Sequence, residues 1–304
     1  MKLPAFQKTN MLAPTPGERL TAHPAVVFAF FIPVLLVTQW GRSAVYGLAA
    51  SLLPAGTPPS TYLLLQLFAT VVTVAVVLLY CLLAEGRRPV TLGFSRRGGF
   101  SEYGLGLLGG CILLGSAVLL CAVCGVLTVS VAATPPSIAL LGLFFPGFLI
   151  QGMSEELLCR SYLMVSLSRG LPLWACAVTN ALLFAVLHAG NPGVTVIALV
   201  NIFLFGLFAS MLTLRRGSIW MVGALHSMWN FAQGNLFGIP VSGLTGSPSP
   251  FASELKGGRM AELLHGGDFG LEGGLAVTVV MAVACAAVLL LPTKQSEVAA
   301  SANV

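Results

Sequence analysis

Apolar residues fill long, nearly unbroken runs along this chain, and short polar or Pro/Gly-rich stretches separate them. A run of about 20 such residues can cross a bilayer as a helix. Eight runs can be traced. Helix one starts near Pro24 and reaches Gln39, and Trp40 and Arg42 mark an interface; residues 43–53 either extend this helix or lie flat on the membrane surface. After a loop at 54–60, helix two is expected over 62–83, helix three over 103–129 and, beyond Pro135 and Pro136, helix four over 137–168. Helix five follows from Leu173 to His188, helix six over 194–214 and helix seven over 218–237. Residues 238–270 read as a Gly/Ser/Pro-rich loop with a short polar helix near 252–264, and the last span covers 271–291.

Composition supports that reading. With 57% hydrophobic residues, 8% charged residues and a mean hydropathy of +0.93, the 304-residue chain is too apolar for a soluble globular protein. The expected fold is an all-α polytopic bundle of about eight transmembrane helices. Its segments are an N-terminal segment (1–23), spans one to three (24–136), a helical core (137–237), a loop (238–270), and the last span with its tail (271–304). All seven cysteines fall inside apolar runs and their number is odd, so no disulfide framework is indicated; Cys121 and Cys124 read as neighbours on one helix. The first 23 residues are too long and polar for a signal-peptide n-region, and the C-terminal residues lack a prenylation box, so neither a cleaved leader nor a lipid anchor is expected.

Charge sets an expected orientation. Eleven of the fifteen Lys and Arg residues fall in the N-terminal segment, the 85–102 connection, the turns after helices four and six, and the C-terminal tail. The opposite face holds only Lys256 and Arg259, so both termini are expected in the cytoplasm and 238–270 outside it.

Three charges interrupt helix four where lipid should be: Glu155, Glu156 and Arg160. Each costs ~2.5 to 3.5 kcal/mol near a bilayer centre, so three cost ~8 to 10 unless they pair or meet water. Glu156 and Arg160 lie about 40° apart on one helix face and can pair, whereas Glu155 points ~100° away from Glu156 and is left without a partner on its own helix. A lone carboxylate in such a place suits a general base.

Two histidines fall in or at the ends of spans, each in an i, i+4 pair: Phe184 with His188, and His226 with Asn230. By helix rise, Glu155 and His188 each lie ~24 Å from the turn near 170–172, and His226 lies ~14 Å from Gly217. They converge if the hairpin of helices four and five protrudes ~10 Å, and the expected cavity then opens to the cytoplasmic face.

The pattern EExxxR (Glu155, Glu156, Arg160), FxxxH (Phe184, His188) and HxxxN (His226, Asn230), in this order on three helices, resembles the CPBP family. This is the family of CAAX prenyl proteases and bacteriocin-processing enzymes, also called the ABI family. The resemblance covers about residues 140–235 and implies peptide-bond hydrolysis in a cavity that opens to the cytoplasm. It implies that Glu155 activates water, that His188 holds that water, that His226 and Asn230 stabilise the oxyanion, and that Glu156, Arg160 and Phe184 are structural. Glu155, His188 and His226 equally suit three ligands of a divalent metal such as zinc with an open fourth position, although no HExxH is present. Implied partners are a membrane-associated or lipidated peptide substrate and the bilayer. The competing reading is a non-catalytic membrane protein, either an ion-coupled transporter or an immunity-type scaffold.

Overall fold

The computed structural model describes residues 9–95 and 98–290. Helix α1 covers Pro24–Ser51, so the 43–51 stretch extends the first helix and does not lie on the surface. Helix α2 covers Pro59–Ala84 and closes in a widened π turn over Tyr80–Ala84. Helix α3, Gly99–Val123, ends short of the expected 129. Gly125, at φ +69°, takes the left-handed conformation that ends helices, and the following Leu127–Val131 has the β-branched alternation of a strand. This strand, β1, pairs antiparallel with β2 (Phe251–Leu255), Leu127 opposite Leu255 and Val131 opposite Phe251. The polar helix expected over 252–264 is therefore a strand followed by the short helix α8 (Arg259–His265), with Gly257 and Gly258 between them.

Helix α4 covers Ile138–Leu167 and starts on a cap in which the Ser137 hydroxyl accepts the Leu140 N–H at 3.2 Å. Pro146 lies within it, but the departure from α geometry falls later, in π turns over Leu157–Met164. Helix α5 (Leu173–Leu187) follows Pro172. Helix α6 (Val196–Arg216) is capped by Thr195 and stopped by left-handed Gly217. Helix α7 (Trp220–Phe231) continues as a π turn over Ala232–Leu236, and α9 covers Leu275–Leu290. The expected tail from 291 lies outside the described residues.

Helices α1, α2, α3, α4 and α6 are long and apolar enough to cross a membrane; α5 and α9 are apolar but shorter. Large apolar side chains face outward along them, Trp40 at 70%, Val123 at 77% and Ile138 at 88% exposure, an outer surface that suits lipid and not water. The protein is an all-α polytopic membrane bundle.

Small residues let the core helices touch. A Cβ at Gly106 or Gly110 of α3 would run into the Met221 or Leu225 carbonyl of α7, and one at Gly152 of α4 would strike Ser227 of α7. Backbones this close depend on glycine, and the α4–α7 contact sets His226 beside the acidic pair of α4.

The bundle has two distinct ends. At one end the N-terminal segment straps the turns: Thr9 packs on Gly217, Arg19 N–H donates to the Glu85 carbonyl at 2.8 Å, and Arg169 pairs with Glu18 at 2.9 Å. Arg215 donates to the Leu289 carbonyl at 3.0 Å, which brings the end of α9 to the same level. The other end carries the 52–58 loop, the β1–β2 pair, the 188–195 turn and the long 238–274 connection.

Candidate active site

Glu155 and Glu156 occupy adjacent positions just before the π turns of α4, and the helix sends them to different neighbours. Glu156 is fully buried and holds two partners on Oε1: Arg160 at 3.0 Å and Nδ1 of His226 at 2.8 Å. Arg160, also fully buried, donates a second N–H to the Gly206 carbonyl of α6 at 3.1 Å and lies 4.6 Å from the centre of the Phe184 ring. The expected Glu156–Arg160 pair is present, but Glu156 also fixes the orientation of a site histidine.

Glu155 does have a partner on its own helix, which corrects the expectation. One turn earlier, Gln151 donates its side-chain N–H to Oε1 at 2.7 Å, and Gln151 in turn accepts from the Asn230 amide at 2.9 Å. The partner is a neutral amide, so a search for ion pairs passes over it; the i, i+4 spacing of Gln151 and Glu155 was the available signal. The other oxygen, Oε2, is buried without a hydrogen-bond partner among the described residues. It faces Nε2 of His226 at 3.7 Å and Nε2 of His188 at 4.0 Å, both too long for a direct hydrogen bond.

The far sides of the two rings settle which nitrogen carries the proton. His226 Nδ1 meets a carboxylate and His188 Nδ1 meets the Phe184 carbonyl at 2.8 Å, and both partners can only accept. Each Nδ1 is therefore a donor, and in its neutral form each ring turns an Nε2 lone pair toward Glu155. Phe184 packs against both rings, with centroids 4.7 Å from His188 and 5.9 Å from His226.

This group opens onto a cavity of ≈ 230 Å³ lined by Glu155, His188, His226 and Asn230, with Arg42 of α1 and Ser242 on its wall. Side-chain exposures are 25% for Glu155, 17% for His188 and 5% for His226, so water reaches the carboxylate first. Arg42 has no ionic partner among the described residues and is near enough for its charge to act on Glu155.

The same lining corrects the expected direction of the cavity. Ser242 and Glu272 belong to the 238–274 connection, so the cavity lies toward that end of the bundle and not toward the turns after α4 and α6. Beyond the sequence-derived candidates, the structure adds Gln151, Arg42 and Glu272. The last is a buried carboxylate that accepts from Gln233 at 2.6 Å and from the Ser242 N–H at 3.1 Å, and so pins the cavity roof.

The donor chemistry of one carboxylate and two oriented imidazoles is that of a metal site. As placed, Glu155 Oε2 stands 3.7 Å from His226 Nε2 and 4.0 Å from His188 Nε2, a few tenths of an ångström wider than the ~3.3 Å between ligands on a tetrahedral ion with ~2.0 Å bonds. No group of three or more His, Cys, Asp or Glu side chains that could hold a metal is found among the described residues.

Residues 136–232 match the family model described as type II CAAX prenyl endopeptidase, Rce1-like. The match runs from the start of α4 into α7 and contains all the motif residues, leaving α1 to α3 and the 238–274 connection outside. A search of curated proteins finds no match to the chain.

Proposed function

We propose, on the premise that this chain is a member of the CAAX protease family of intramembrane peptidases, that Glu155 is the general base of a water-dependent endopeptidase. The observation that carries this reading is the unsatisfied Oε2 of Glu155, faced across a cavity wall by two Nε2 lone pairs. Three acceptors converging on one point call for a donor between them, and a water molecule suits gaps of 3.7 and 4.0 Å.

In this mechanism the water donates to Glu155 and to His188. Glu155 takes its proton, the hydroxide oxygen attacks the scissile carbonyl carbon, and the proton passes to the amide nitrogen as the C–N bond breaks. The products are a new carboxylate and an amine. Gln151 holds Glu155 in line through Oε1. Asn230 donates to the oxyanion, and so does His226 when its ring carries both protons; the Glu156 carboxylate on Nδ1 compensates that charge, much as a buried carboxylate supports histidine in other hydrolases. No step is routed through a metal. The finer substrate reading is a membrane-anchored polypeptide, with both termini of the enzyme in the cytoplasm.

Cleavage of membrane-anchored peptides by the purified protein in water carrying a heavy oxygen isotope tests the reading. One heavy oxygen should enter each new C-terminal carboxylate, with no covalent peptide–enzyme species. Absence of any cleavage, or accumulation of an acyl-enzyme, would overturn it.

A further inference from the structure

Two helices outside the matched 136–232 region complete the cavity wall, and their polar side chains bear on what the site accepts. Thr38, Gln39 and Arg42 come from α1, and Gln66 and Thr70 from α2, each set at the three- and four-residue spacing of one helix face. The two hydroxyls are used within their own helices: Thr38 donates to the Leu35 carbonyl at 2.7 Å and Thr70 to the Leu67 carbonyl at 2.6 Å. Arg42, Gln39 and Gln66 have no hydrogen-bond or ionic partner among the described residues, so they are free donors on this wall.

An interfacial anchor would share the outward face of Trp40, which is 70% exposed. Arg42 stands two residues further on, a step of ~200° around the helix, and so turns into the bundle and onto the cavity. A guanidinium kept in a spanning helix without a counter-ion is costly and marks a functional position. The two carboxylates of the cavity are engaged elsewhere: Glu155 accepts from Gln151 at 2.7 Å, and Glu272 accepts from Gln233 at 2.6 Å. The counter-ion of Arg42 is therefore brought by a ligand. The charge of Arg42 reaches Glu155, which sets that ligand close to the reacting bond.

We propose that Arg42, with the Gln39 and Gln66 amides, is a specificity subsite that receives a carboxylate of the substrate polypeptide beside the scissile bond. The planar guanidinium matches a carboxylate through two parallel N–H···O bonds, and each amide has a further N–H to donate. A single negative charge also fits a cavity that already holds two carboxylates better than a multiply charged group does. The carboxylate is either a free C-terminus or an Asp or Glu side chain; the chemistry is shared, and the test separates the sources. That the ligand is a substrate rests on the protease reading of Glu155; that it is an anion does not.

Discrimination within each protein is the readout, because it cancels differences in folded fraction. Micelle-anchored peptides are compared in pairs that differ only as C-terminal acid or amide, or as Glu or Gln at successive positions along the sequence. For the parent, one kind of pair should show a preference for the acid of about 10- to 100-fold in kcat/KM, mostly through KM, as for a charge-assisted contact made in ground and transition states alike. The pair that shows it names the source. The ratio should fall toward one in Arg42→Gln, persist in part in Arg42→Lys and invert in Arg42→Glu. A parent ratio near one in every pair, or a preference that Arg42→Gln leaves intact, would overturn the proposal. So would turnover that depends on anionic phospholipid through Arg42 without any preference between peptides, which would give the guanidinium to a headgroup. A binding arm needs no cleavage. Fluorescent forms of the same peptides, titrated into Glu155→Gln, should bind with the same preference in Kd and lose it when Arg42→Gln is added. That preference without cleavage by the parent would count against the protease reading and not against the subsite. Equal Kd values within every pair would overturn the subsite whether or not the parent cuts.

Discussion

Arg160→Met tests the buried charge network behind the site. Glu156, Arg160 and His226 are 0%, 0% and 5% exposed at their side chains, and one carboxylate oxygen holds both partners at 3.0 and 2.8 Å. Methionine fills much of the arginine volume but removes the charge, the hydrogen bond to Gly206 and the stacking on Phe184. Glu156 is then a buried carboxylate with a single neutral donor, and breaking such a pair from one side costs ~3 to 5 kcal/mol. Neutralising both partners avoids the orphaned charge. Glu156→Gln with Arg160→Met should therefore regain a coupling of on the order of 2 kcal/mol relative to the sum of the single variants. Equilibrium unfolding in mixed micelles measures all three. The double variant should nonetheless stay impaired in peptide cleavage, because a glutamine behind Nδ1 no longer compensates charge on the His226 ring. Parent-like unfolding of Arg160→Met, or strict additivity in the double variant, would refute the reasoning.

Gln151→Leu removes the donor to Glu155 Oε1 and the acceptor of Asn230; a lost hydrogen bond to a charged group is worth ~1.5 to 3 kcal/mol, so kcat/KM should fall about 10- to 100-fold with the fold intact. Gly110→Val forces α3 away from the Leu225 carbonyl of α7 and should destabilise the protein by ~1 to 3 kcal/mol or prevent its accumulation, read as melting temperature and yield. Prolonged treatment with a strong chelator should leave peptide cleavage unchanged; loss of cleavage restored by added zinc would return the three-ligand reading. Burial pushes the Glu272 carboxyl above its ordinary value, so the folded state binds that proton more tightly than the unfolded one, and the stability gained at low pH is lost as pH rises through the folded value. Glu272→Gln should flatten that decline in melting temperature across the acidic to neutral range.

Much of this site was legible because charge in an apolar run is costly and therefore conspicuous. Glu155, Glu156 and Arg160 stood out on that ground alone, and helix rise placed Glu155 level with His188. The same arithmetic held the direction of the cavity: ~24 Å from the turn after α4 lies most of the way to the other face. Drawing the site toward the basic turns required a protruding hairpin, and the structure brings His226 to Glu156 through the Gly152–Ser227 contact of α4 and α7 instead. Strand β1 was hidden because Leu127–Val131 prolongs an apolar run and its partner lies more than a hundred residues away. Gln151 and Glu272 were hidden for different reasons: one is uncharged, and the other sits at the very start of the expected last span, where a charge reads as an end marker until Ser242 and Gln233 close around it.

The central claim is that one carboxylate on α4 activates water. Glu155→Gln keeps the side-chain shape and introduces no buried charge, so the protein should insert and unfold like the parent. Its turnover of a membrane-anchored peptide, measured with purified protein at saturating substrate, should fall by ~10²- to 10⁴-fold, the usual contribution of a general base. Turnover by Glu155→Gln close to that of the parent would contradict the account.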